Sequence, residues 1–266
     1  MSFRHAMRAL WGILLRELLR FVHQRERFVA ALVRPLIWLF VFAAGFRAAL
    51  GVSIIPPYQT YITYETYVLP GLCGMILLFG GMQSSLSMVY DREMGSMRVL
   101  LTSPLPRWYA LFCKLLAGTF VSVLQVLVFL AIARLYGVRF PTAGFISVIP
   151  ALILGGLALG AVGLFLSSLI TQLENFAGVM NFVIFPGFFL SSALYPLWKM
   201  KESSLTLYWL CSGNPFTWVV ELIRFALYQK ISPLALAVVT ATFVAFALLA
   251  VVSYDPKTAL IRRQVS

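Results

Sequence analysis

The residue types that carry out chemistry are scarce along the apolar stretches of this chain, which hold almost no Asp, Glu, His or Lys. Such stretches offer no titratable constellation for general acid–base or nucleophilic catalysis. The sequence contains no H-E-x-x-H helix, no Gly-x-Ser-x-Gly turn, no paired intramembrane carboxylates and no Gly-x-x-x-x-Gly-Lys-Ser/Thr loop. That argues against a metalloprotease, a serine hydrolase, an aspartyl site and an ATPase in this chain. His5 and His23 sit in the N-terminal arm as interfacial or solvated residues, and Cys73, Cys113 and Cys211 form neither a C-x-x-C pair nor a disulfide framework. Neither an enzyme nor a resident metal or cofactor is expected.

The pattern that does stand out is one for docking. Between Tyr90 and Arg107, Met94, Met97 and Leu101 recur at i, i+3 and i+7, while Asp91, Arg92, Glu93 and Arg98 supply charge. A short amphipathic helix of this kind seats in a groove of a partner protein. Acids in its first turn and Arg98 further on agree with the helix dipole. On spacing alone, an interfacial helix touching only lipid is the alternative.

The elements around that segment follow from composition. The chain has 266 residues, 61% hydrophobic and 11% charged, with a mean hydropathy of +0.91, whereas a soluble domain carries about a quarter charged residues. At about 20 residues per crossing, uncharged runs suggest six spans near 28–46, 66–90, 109–133, 150–170, 175–194 and 233–253. The expected architecture is an all-helical integral membrane protein. It has an N-terminal interfacial helix (1–27), a six-span domain (28–253) and a short tail (254–266).

In the arm, Phe3, Met7, Leu10, Leu14, Leu18 and Phe21 form an apolar stripe with Arg4, Arg8, Arg16 and Arg20 on other faces, and Leu15 and Leu19 interrupt the polar face. This reads as a basic helix lying on an anionic leaflet, and no cleavable secretory signal is expected. Residues 198–230 mix Lys199, Lys201, Glu202, Glu221 and Arg224 with apolar residues around Gly213-Asn214-Pro215. Two short re-entrant or interfacial helices fit such a broken segment.

The formal charge of +12 follows membrane topology rather than a nucleic-acid face, because most of the aromatics lie in or beside apolar runs. Fourteen Lys and Arg fall on the side of the arm, the Asp91 segment and the tail, against seven on the other. Both termini are therefore expected in the cytoplasm. No internal repeat is evident, which counts against secondary carriers built from inverted repeats.

Four motifs, in this order and spacing, resemble the membrane permeases of type-2 ATP-binding-cassette exporters, the kind found in drug, nodulation-factor and polysaccharide export. They are Tyr67-Val68-Leu69-Pro70-Gly71-Leu72; Asp91-Arg92-Glu93-Met94-Gly95-Ser96 through Leu100-Leu101-Thr102-Ser103-Pro104-Leu105 to Lys114-Leu115-Leu116; Phe185-Pro186-Gly187-Phe188-Phe189-Leu190-Ser191-Ser192-Ala193-Leu194-Tyr195-Pro196; and Asn214-Pro215-Phe216 with Glu221 and Arg224. The second motif has Ser96 where the family usually has Thr.

The resemblance implies a bacterial inner-membrane subunit that pairs with a second copy of itself or a sibling and with a cytoplasmic ABC ATPase holding the ATP and Mg. It also implies that residues 91–104 are the coupling helix, with Glu93, Met97 and Arg98 as contacts, and that residues 198–230 cap the outer end, with Asn214, Pro215, Glu221 and Arg224 as the external gate.

Candidate conduit residues are Gln83, Ser84 and Ser87 in the second span and Asn181, Phe182, Phe185 and Phe189 in the fifth. Such residues also serve as helix-to-helix contacts. Glu221 and Arg224, three apart, read as a structural pair rather than a substrate clamp. A self-contained channel or secondary carrier is the competing class and would need more polar residues at the midplane. The cargo itself is not encoded in any readable polar pattern.

Overall fold

In an apolar solvent the backbone must satisfy its own hydrogen bonds, which selects helices for long uncharged runs, and among the described residues the regular elements are helices. The structure, a computed structural model, describes residues 3–23, 25–42, 57–58, 62–94, 106–170 and 172–254. α1 (Phe3–His23) and α2 (Arg25–Ile37) come first, and α2 runs into a π-helical turn, Trp38–Phe42. Pro35 withdraws a donor from the helical ladder just before that turn. α3 (Tyr64–Glu93), α4 (Arg107–Leu135), α5 (Gly144–Ser147), α6 (Ile149–Leu169) and α7 (Leu173–Phe189) follow. Three short helices, α8 (Leu197–Ser203), α9 (Leu205–Gly213) and α10 (Pro215–Leu227), lead to α11 (Pro233–Ser253).

Among the described residues, four helices are long and apolar enough to cross a membrane: Tyr64–Glu93, Trp108–Leu135, Gly144–Leu169 and Pro233–Ser253. They match the second, third, fourth and last expected spans. Shorter apolar helices, Val29–Val41 and Leu173–Phe189, stand where the first and fifth were expected. α7 stops at Phe189 rather than Leu194 because Ser191 turns the chain, donating to Phe188 O and accepting from Ala193 N at 3.2 Å. The segment after it forms three short helices rather than two, since extended backbone at Ser204 divides α8 from α9 as well.

α6 is the axis of the bundle: α3 and α11 pack along it, and α4 packs against both α3 and α6. The closest approach is at Gly81, where a Cβ would stand 3.0 Å from the Gly160 backbone, so α3 and α6 touch main chain to main chain. α1 packs on α4. Its Leu10, Ile13, Leu14 and Leu18 are partly covered, while Met7, Trp11, Leu15 and Leu19 are exposed at four-residue intervals. Leu15 and Leu19 thus stand with Met7 and Trp11 on the exposed side of the helix, beside Arg4, Arg8 and Arg16.

Candidate functional site

At one end of the bundle the charges are organised by helix termini. α3 continues through Asp91, Arg92 and Glu93, with Met94 as its C-cap. These acids thus occupy the last turn of the second-span helix, not the first turn of a separate coupling helix. A carboxylate there opposes the helix dipole, and two cations compensate. Lys114 Nζ on α4 donates to Asp91 Oδ2 at 2.8 Å, and Arg16 on α1 donates to the same oxygen at 3.2 Å.

Asp91 and Lys114 are both buried. The Arg92 guanidinium lies 4.8 Å from the centre of the Tyr254 ring, with its NH1 3.5 Å from Ile170 O, which gathers the ends of α6 and α11 to this place. Glu93 and Met94 are exposed. Of the expected docking residues, then, Asp91 and Arg92 are engaged inside the chain and Glu93 and Met94 face outward. Gly95, Met97, Arg98 and Leu101 lie outside the described residues.

Between α2, α3 and α4 lies a cavity of about 220 Å³. Gln83, Ser84 and Ser87 line it as a group, and sequence reasoning missed the residues that face them, Arg34 on α2 and Ser122 and Gln125 on α4. The signal for Gln125 was an amide inside an otherwise apolar span, the third, whereas the conduit candidates were drawn from the second and fifth. The other conduit candidates lie elsewhere: Asn181, Phe182, Phe185 and Phe189 are on the exposed face of α7 and do not line this cavity. Phe185 and Phe189 stack on each other with centroids 6.4 Å apart, and Trp38 meets Phe189 edge-on at 6.0 Å.

At the opposite end, three of the four sequence motifs meet. Asn214 caps α10 by accepting from Phe216 N at 3.0 Å, and its Nδ2 donates to Gly187 O and Leu190 O, both at 2.7 Å, closing the C-terminus of α7. Pro215 occupies the first turn of α10, where its missing N–H costs nothing. Arg224 is buried, pairs with Glu221 and donates to Ser192 O at 2.9 Å. The Tyr67 hydroxyl donates to the same carbonyl at 2.8 Å, and the Arg224 guanidinium lies 4.2 Å from the centre of the Tyr67 ring.

Gly71 allows this meeting, because a Cβ there would stand 2.7 Å from Ala193. Nearby, burial pushes the Tyr58 hydroxyl well above the usual phenol range, with Arg224 opposing the shift.

The sequence pattern of the ABC-2 type transporter family matches residues 8–228. The chain belongs to the ABC-2 type transporter family. The stretch that aligns with ABC-2 transporters takes in all four motifs, the cavity and both charged ends.

Among curated proteins, this ABC-2 chain is similar to the "Probable multidrug ABC transporter permease YbhR" of Escherichia coli strain K12, 32% identical over 163 residues, which cover 60% of this chain and 44% of that protein. It is also similar to the "Putative transport permease ycf38" of Porphyra purpurea, 29% identical over 201 residues, and of Cyanophora paradoxa, 27% identical over 209. In both cases 74% of this chain and 66% of the relative are covered. The alignments thus span less than half of the Escherichia coli relative and just under two thirds of the other two.

Proposed function

We propose that this chain is the permease subunit of an ATP-driven exporter in a bacterial inner membrane, working with a second copy of itself or a sibling and with a separately encoded ABC ATPase. The family match over residues 8–228, in a chain that lacks a phosphate-binding loop, carries this reading. In it, the short helices at 29–41 and 173–189 complete a set of six spans, and the arm and the last residues lie in the cytoplasm. ATP and Mg belong to the partner. The cargo is an amphipathic or lipid-linked compound, a reading supported by the multidrug description carried by YbhR.

The mechanics follow from α3. Thirty residues of helix make a rod about 45 Å long. Its Glu93–Met94 end leads into the connector over the ATPase, and Tyr67 stands near the other end. ATP binding favours one ATPase state, and a connector that binds the two states differently shifts the population of the membrane domain. The rod carries that shift past Gln83, Ser84 and Ser87 to the contacts at Ser192. Cargo passes where two permease subunits face each other, along Asn181, Phe182, Phe185 and Phe189, with α8 to α10 capping the outer end.

The test is purification of the tagged chain from its native membrane in mild detergent, with identification of what accompanies it and an assay of vanadate-sensitive ATP hydrolysis. A stoichiometric ATPase is expected. Glu93→Lys and Met97→Asp are expected to insert normally yet reduce coupled hydrolysis by about tenfold or more, as a reversed or buried charge does at an interface. Absence of an ATPase in several detergents, or normal transport by both variants, would replace this reading with a self-contained channel or carrier.

A further inference from the structure

The cavity between α2, α3 and α4 holds polar groups that helix packing leaves unused. Gln125 is 7% exposed and lines it, yet among the described residues its amide has no hydrogen-bond partner, and neither do the Ser84 hydroxyl and the Gln83 amide. The neighbouring Ser87 and Ser122 hydroxyls, by contrast, donate to carbonyls of their own helices at 2.7 and 3.0 Å. Burying an amide that bonds to nothing is unfavourable. The buried Gln125, the half-buried Ser84 and the exposed Gln83 thus turn unpaired polar groups toward one space, which marks the place of a polar occupant.

Arg34 gives that occupant a sign. Its guanidinium lies 4.0 Å from the centre of the Phe79 ring, and among the described residues no carboxylate lies within ion-pair distance of it. Stacking by its face fixes the plane of the group and leaves the edge N–H donors available to an anion. The acid on the cavity wall, Glu17, stands 4.0 Å from Arg16. The remaining wall is apolar, including Ala30, Met75, Ile76 and Val121.

We propose that this cavity binds one anionic amphiphile per chain, its phosphate or carboxylate head held by Arg34, Gln83, Ser84 and Gln125 and its tail laid along the apolar wall. A bare anion would leave that wall uncovered, and a plain hydrocarbon would leave the amides unbonded; a lipid with a negative head satisfies both. The site belongs to this chain alone and holds whether or not an ATPase drives it.

The full-length chain, purified in detergent, is titrated with phosphatidylglycerol and read by native mass spectrometry, with a diacylglycerol of the same tails and inorganic phosphate as separate arms. Saturable binding of one phosphatidylglycerol per chain is expected, with each of the other two at least about tenfold weaker. Arg34→Gln and Gln125→Leu are each expected to weaken it about tenfold, the loss of one charge-assisted or buried contact. Should the buried Gln125→Leu variant fail to fold, Gln83→Leu, at an exposed position, is the second variant, expected to weaken binding several-fold. Equal binding of diacylglycerol, equally tight binding of inorganic phosphate, or unaltered binding by Arg34→Gln and Gln83→Leu overturns the proposal.

Discussion

At Asp91 one carboxylate oxygen serves two other helices, through Lys114 and Arg16. Lys114→Met removes the buried cation that pairs with the buried Asp91, and is expected to cost about 3–5 kcal/mol. The double variant Asp91→Leu/Lys114→Met, which removes both charges, should recover most of that loss. Thermal unfolding of the single and double variants in detergent checks both statements. Little of this was legible beforehand: charges after an apolar run read as the first turn of a new helix rather than the last turn of the old one, and a pair separated by 23 residues has no signature in one sequence. Glu221 and Arg224 could be paired in advance because they lie three apart on a helical repeat. What Arg224 does to Ser192 and Tyr67 could not, since that depends on how α3 and α10 meet.

Among the elements, α3 and α6 depend on glycine for their closest contact. Gly81→Ala places a methyl 3.0 Å from the Gly160 backbone, which cannot move aside as a side chain would, whereas at Gly178 on α7 nothing lies within 4 Å of an added Cβ. Gly81→Ala is therefore expected to destabilise by about 1–3 kcal/mol and to lower the yield of monodisperse protein, while Gly178→Ala leaves both unchanged. Size-exclusion profiles and unfolding temperatures of the two variants make the comparison.

Helices with clear end signals were the ones read most closely from sequence. α11 runs from Pro233 to Ser253 as expected, because Ser232 caps it and Pro233 opens it. α3 ran past its expected end because paired charges let a helix continue. The arm was read with the right period, but a sequence does not say that one apolar face meets protein and another does not.

Over the whole molecule, two knots of polar contact sit at opposite ends of α3, one at Asp91 and one at the Ser192 carbonyl, with the cavity between them. The second knot joins residues far apart in the chain, Tyr67, Ser192 and Arg224, so during synthesis it cannot close until α10 has emerged from the ribosome. Arg224 must enter its apolar surroundings before those partners hold it. Glu221 lies on the same helix, one turn earlier, and pairs with Arg224 in the folded chain; a pair this local needs no other helix, and with it formed α10 carries no net charge. Insertion is thereby freed from waiting on tertiary assembly, since carrying a lone charge into an apolar phase is costly. Glu221→Gln is expected to lower the fraction of newly made chains that resist alkaline extraction after cell-free translation with membrane vesicles, and Glu221→Asp to restore part of it. Equal integration of all three chains would mean that the burial of Arg224 is decided only after the helices have come together.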